Sequence, residues 1–244
     1  MEPRRLTGLR PQVYEHPSDG AALDALQNTA GLETVVRKLN EWGFERLIRV
    51  QLTGSYLRVT PDNFPDLHTL LVRSAEVLDL PKIPDLYLAP GGEINALTAG
   101  VEHPLIVLNS GAVELLSSEE LAFVLGHELG HLKSGHVLYY QIAEFLPVVV
   151  GILGAATFGL GEVLSVGMQA ALLRWRRMAE LTADRAGLLA VQDASVAITT
   201  LAKLAGLPPK HYASFNTEDF IAQAREFEAM DADKLNLVAK WLST

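Results

Sequence analysis

The residues best equipped for chemistry are His127-Glu128-Leu129-Gly130-His131, a His-Glu-x-x-His pattern inside a stretch with helical periodicity. Two imidazoles four residues apart on a helix differ by about 40° of rotation and about 6 Å of rise. Their side chains therefore lean over one patch and can bind a single metal ion together. Glu128, one residue after His127, points about 100° away from that line. It is badly placed to be a third ligand but well placed to take a proton from a water on the ion. Residue types and spacing together are those expected of a zinc metalloprotease.

A catalytic zinc needs three protein ligands and one open position. The chain has no Cys, so a thiolate is excluded. The best candidate for the third ligand is Glu180, in Ala179-Glu180-Leu181-Thr182-Ala183-Asp184-Arg185, a segment that reads as helix from about Ala170 to Gln192. Glu180 and Asp184 are four apart and share a face, so Asp184 can hydrogen-bond the outer nitrogen of a ligand imidazole and fix its tautomer. The competing interpretation is an exposed carboxylate pair on a helix surface.

The element carrying the first motif is well specified. Ser117-Ser118-Glu119-Glu120 reads as a capping box with Ser117 at the N-cap, and Leu121, Val124, Leu125 and Leu132 form an apolar stripe at helical spacing. Gly130 costs such a helix about 1 kcal/mol relative to Ala, which a close backbone approach would explain. Upstream, Asp19–Asn28, Leu32–Trp42 and Asp66–Leu78 read as helices, and Leu47–Leu52 with Ser55–Thr60 as a hairpin about Thr53-Gly54. Pro81 and Pro84 mark a boundary, followed by strands at Leu86–Ala89, Glu93–Thr98 and Leu105–Leu108. The expected organisation is an N-terminal α/β unit over 1–84 and a second domain over 85–244, interrupted by an apolar insertion at 145–173.

The pair His127-Glu128-Leu129-Gly130-His131 and Glu180-x-x-x-Asp184 resembles the HtpX-like family of integral or peripheral membrane metallopeptidases, gluzincins related to the CaaX prenyl-protein proteases. Asn95-Ala96 ahead of the motif helix, Leu105-Ile106-Val107-Leu108, the capping box, and His136 five residues past His131 agree with it; the similarity runs from about Leu80 to Val191. It implies a mainly α, α+β zincin-like domain with a small antiparallel sheet and an apolar helical hairpin between the ligand helices. It also implies one Zn2+ per chain on His127, His131 and Glu180, Glu128 as catalytic base, and endopeptidase activity in protein quality control at a membrane. In such enzymes an edge strand pairs with an extended polypeptide substrate, here placed at Asn95, Ala96 and Leu97. The family's C-terminal His and Arg motif has no clear counterpart. His211 and Tyr212, after a Pro208-Pro209 loop, are the neighbouring pair of suitable type to stabilise an oxyanion, with ordinary surface residues as the alternative.

Residues Phe145–Leu173 carry one formal charge, Glu162, and are rich in Gly. Because His131 and Glu180 must meet at one ion, an odd number of membrane spans between them is impossible. Two spans need about 40 apolar residues, and this stretch offers 29. A hairpin dipping into one leaflet, a helical pair packed within a soluble protein or homo-oligomer, and a thin two-span hairpin all remain open. Arg174, Trp175, Arg176 and Arg177 at its end suit an anionic membrane surface, extending lipid contact over 145–177; a solvated face, or arginine partners for Glu180 and Asp184, is the alternative. Either way the active-site side is expected to face the cytoplasm or plastid stroma, with a soluble cytoplasmic protein as the other option. An apolar content of 49% provides for a core, a net charge of −9 argues against a nucleic-acid partner, and Met1–Thr7 lacks the apolar run of a secretory signal. Two rival functions are a scaffold with a closed structural zinc site, using His136 or His103 as fourth ligand, and an exopeptidase.

Overall fold

The computed structural model describes residues 2–28, 32, 36, 43–144 and 160–229. Within them the chain is mainly helical. It opens with a short turn of helix α1 (Pro11–Tyr14), then α2 (Pro17–Gln27), α3 (Phe44–Ser55), strand β1 (Leu57–Val59) and α4 (Pro65–Val77). Strands β2 (Asp85–Ala89), β3 (Ala96–Ala99) and β4 (Leu105–Asn109) follow, then α5 (Ser110–Leu115) and α6 (Ser118–Lys133). Residues 137–144 are helical. The long α7 (Leu160–Val191), α8 (Ala194–Leu204), a 3-10 turn (Pro209–Ser214) and α9 (Thr217–Ala229) complete the order.

The four strands form one mixed sheet, β1-β2-β4-β3. The sheet is not wholly antiparallel as expected: β2 and β4 run parallel, from Asp85 opposite Leu105 to Ala89 opposite Asn109. The reason is in β4. Leu105, Ile106, Val107 and Leu108 are all buried, the signature of a strand covered on both faces, so β4 takes the interior and β3 folds back as the edge. On one face Leu86, Ile106 and Leu108 pack with Leu71 of α4 and Leu125 and Leu129 of α6. On the other, Tyr87, Leu105 and Val107 meet Ile48, Leu52 and Tyr56.

That second layer overturns the expected hairpin at 47–60. Phe44–Ser55 is a helix, and the strand is only Leu57–Val59, paired with β2. Ile48, Val50 and Leu52 alternate with polar residues as a strand would, yet Ile48 and Leu52 are also one helical turn apart. Tertiary packing on the sheet selects the second periodicity. The helices expected near 19–28 and 66–78 are present; of the one at 32–42 only residues 32 and 36, both helical, are among the described residues.

The apolar stretch resolves in part. Residues 145–159 lie outside the described range, but from Leu160 the chain is one helix through Glu180 to Val191. Among the described residues no helix is long and apolar enough to cross a membrane. Trp175 is no surface anchor: it is fully buried, packed with Leu26, Ile142 and Leu172.

Helices α6 and α7 lie antiparallel along a seam of small residues. A Cβ on Gly126 would collide with Ala190 and lie 3.1 Å from Gly187 Cα, and one on Gly130 would meet Ala186 Cβ at 2.5 Å and Ala183 Cα at 3.3 Å. From the far side, a Cβ on Gly187 would meet the Phe123 carbonyl at 2.9 Å. The glycine that weakens α6 locally is thus what lets α7 approach. Gly130→Val is expected to cost about 2 kcal/mol or more through overpacking, outweighing its better helix propensity. This should lower the thermal midpoint of the metal-free protein by several degrees; an unchanged midpoint would show that the seam tolerates separation.

Candidate metal centre

The capping box starts α6: Ser117 Oγ accepts from Glu120 N–H (3.2 Å), and Glu120 Oε2 accepts from Ser117 N–H (2.7 Å). Lys203 Nζ of α8 also reaches Glu120 Oε2 at 2.7 Å, fixing the start of the helix in the core. His127, Glu128 and His131 sit two to three turns further on, and the seam delivers Glu180 and Asp184 of α7 opposite them.

The three expected ligands converge. His127 Nε2 and His131 Nε2 are 3.1 Å apart. Glu180 Oε2 lies 3.3 Å from the first and 4.0 Å from the second. Donors on a tetrahedral zinc, bound at about 2.0–2.2 Å, are separated by about 3.3–3.5 Å, so the three side chains match such an ion with small adjustments.

Outer hydrogen bonds explain why these nitrogens need a cation. His127 Nδ1 is 2.9 Å from Asp184 Oδ1 and donates to it, leaving Nε2 as the ligand atom. His131 Nδ1 is 3.0 Å from His136 Nδ1, whose Nε2 is in turn 3.0 Å from Asp19 Oδ2. Two imidazole lone pairs aimed at one point repel unless a positive charge lies between them. Without metal, a proton takes that role. Burial opposes charging His127, but hydrogen bonds to Asp184 and Glu180 outweigh it and hold the ring protonated up to about 10. The neighbouring His131 is pushed well below its ordinary value by burial and by the His127 charge. Burial likewise opposes ionisation of Glu180, but the His127 hydrogen bond and the charge on the imidazoles bring it down to about 2. A divalent cation would replace this proton, since ligand imidazoles must be neutral.

Glu128 is buried beside the pair but turned from it, toward the sheet, where Thr98 Oγ1 donates to its carboxylate. Burial raises its pKa above the usual carboxylate range despite the nearby His127. Asn95, Ala96, Leu97 and Thr98 line the same cleft as His127, His131 and Glu180. Asn95 C=O accepts from Asn109 N–H (2.9 Å). By the alternation of an antiparallel pair, Ala96 then turns its N–H away from β4 to the open edge, where Asn95 Oδ1 accepts from it at 2.9 Å.

The remaining candidates lie in other surroundings. His211 and Tyr212 lie in the 3-10 turn and do not line the cleft, and Tyr212 lies under Lys203 Nζ, 3.9 Å from the ring centre. His103 is exposed in the β3–β4 loop. Arg176 is exposed and also lines the cleft, its guanidinium 5.2 Å from the Tyr140 ring centre. Tyr140, Thr98 and Asp19 were not evident from the sequence. The Tyr140 hydroxyl donates to Glu180 Oε1, and burial with the Glu180 charge keeps that phenol protonated. A Tyr on a short helix next to an apolar run carries no local mark of such a role.

The model of peptidase family M48 matches residues 61–244. The chain is 36% identical over 225 residues to the plastoglobule-localized metallopeptidase 48, chloroplastic, of Arabidopsis thaliana, covering 91% of this chain and 64% of that protein. It is 32% identical over 111 residues to a protease HtpX homolog of Moorella thermoacetica, covering 45% of this chain and 37% of the relative. A second protease HtpX homolog, from Aquifex aeolicus, is 36% identical over 91 residues, 36% of this chain and 30% of the relative. The chain thus spans less than two thirds of the length of these relatives, and no solved structure matches it. With a family match over three quarters of its length and the His-Glu-x-x-His and Glu180 side chains gathered at one point, the chain belongs to peptidase family M48.

Proposed function

We propose that this chain is a zinc-dependent endopeptidase. The observation that carries the reading is the convergence of His127, His131 and Glu180 on one point with Glu128 beside them and an open strand edge in the same cleft. Bound there, zinc would supply a Lewis acid that lowers the pKa of water to about 7 and polarises the scissile carbonyl. Glu128 accepts the proton of the attacking water and passes it to the departing amine. Thr98 holds the Glu128 carboxylate in place, and burial brings its proton affinity closer to what a reversible base needs. Tyr140 orients the Glu180 carboxylate from its outer oxygen, as Asp184 orients His127.

An extended polypeptide fits this cleft by adding a strand to β3, its backbone taking the Ala96 N–H that Asn95 now holds. Such pairing recognises main chain rather than sequence, which suits cuts within unfolded proteins and work in quality control. The apolar run at 145–173 and the name of the plastoglobule relative support action at a membrane or lipid surface, with the active site on the cytoplasmic or stromal side. Trp175 takes no part in such lipid contact because it is buried, while Arg174 and Arg176 stay exposed at the end of the run. A closed structural zinc site would need a fourth ligand. Among the described residues the metal-competent cluster has three members, and both His136 nitrogens are already in hydrogen bonds.

Glu128→Gln is expected to keep zinc while casein hydrolysis falls by about 10²–10⁴-fold; cleavage at the wild-type rate would remove Glu128 as base. His127→Ala and Glu180→Ala should lose the metal, read by elemental analysis, and unchanged zinc content would refute the ligand set. Mass spectrometry of early casein products should show interior cuts, whereas stepwise loss of terminal residues would assign an exopeptidase.

A further inference from the structure

We propose that Asp19 and His136 form a relay that fixes His131 as a metal ligand, so that a segment preceding the region matched by the family model completes the metal centre. This rests on the zinc reading above and goes beyond it by assigning a positioning role to two residues that would not touch the metal.

The relay begins in the way α6 ends. Gly135, at φ +72°, adopts the left-handed conformation after the helix. Its N–H bonds to the Leu132 carbonyl (3.2 Å), and His136 N–H bonds to the His131 carbonyl (3.0 Å). This is a Schellman cap, which brings the residue after the glycine against the residue five positions earlier. Here an apolar contact is replaced by two imidazoles, His131 Nδ1 and His136 Nδ1, 3.0 Å apart.

Asp19 closes the chain of bonds. It sits in the first turn of α2 and is buried, 2% exposed, as is His136 at 1%. Its Oδ2 is 3.0 Å from His136 Nε2 and accepts a second bond from Thr182 Oγ1 of α7 at 2.6 Å. A carboxylate can only accept, so His136 carries its proton on Nε2. His136 Nδ1 is then bare and accepts from His131 Nδ1–H, and His131 Nε2 is left free to bind metal. Each ligand imidazole therefore has an outer carboxylate: His127 has Asp184 directly, and His131 has Asp19 through one intervening ring. Such partners fix the tautomer and raise ligand basicity. Trp175, packed edge-on 5.5 Å from the His136 ring centre, walls the relay from solvent.

Long-range 1H–15N correlation of the zinc-loaded wild-type protein reads the proton positions directly. His136 is expected as the Nε2–H tautomer; a proton on its Nδ1 overturns the relay. On the folded protein, Asp19→Asn preserves shape and removes the charge. It should weaken zinc about ten- to a hundredfold in chelator competition and shift the visible bands of the Co2+-substituted site. Gln27→Leu, which cuts the bond from α2 to the Tyr139 hydroxyl and touches no member of the relay, should leave those bands unchanged; a shift as large as that of Asp19→Asn would assign the effect to loosening of α2 and overturn the relay. Wild-type zinc affinity and Co2+ spectrum in Asp19→Asn would overturn the inference while leaving the zinc reading intact. A wild-type protein that takes up no zinc would bring down both.

Discussion

The site depends on how closely two helices approach. His127 and His131 come from α6, Glu180 and Asp184 from α7, and nothing in either helix alone places the carboxylate near the imidazoles. Gly126 and Gly130 on one side, with Ala183, Ala186, Gly187 and Ala190 on the other, remove the side chains that would hold the backbones apart. Each glycine weakens its own helix by about 1 kcal/mol, and the tertiary contact it permits offsets that loss. The metal-binding geometry is in this sense a packing property.

The surrounding charges are arranged for a cation. Two imidazoles face each other with their outer nitrogens in hydrogen bonds to Asp184 and His136, and Glu180 completes the cluster with its second oxygen held by Tyr140. Glu128, although equally close in sequence, is withdrawn to Thr98 on the sheet. One helix therefore presents three ionisable groups in two different environments, the histidines facing Glu180 and the glutamate facing Thr98 on the sheet. Side-chain direction separates their roles.

Much of this was legible because it is local. The capping box, the apolar stripe, the His-Glu-x-x-His spacing and the Glu180–Asp184 interval all follow from 3.6 residues per turn, and Gly130 was an anomaly that pointed to a close contact. What was not legible is set by distant residues. Ile48 and Leu52 fit strand and helix equally, and only the face of the sheet they cover, with Val50 left exposed, decides between them. Trp175 beside three arginines looked like a surface anchor, because sequence does not reveal which side of α7 meets the core. Asp19 is 117 residues from His136, and a lone Asp in the first turn of a helix is ordinarily just a favourable charge at that position.

The bond from Ala96 N–H to the Asn95 side chain has a consequence for the protein's behaviour with itself. An unpaired strand edge is a template for other chains, including copies of the same molecule. A cleft that accepts any extended backbone would be especially exposed to this. With β3 limited to four residues and its leading amide already satisfied from within, the resting edge offers little for stable self-association. A strand adding to this edge would first have to displace the asparagine, a barrier that disfavours short, fleeting encounters between copies and guards the edge against polymerising.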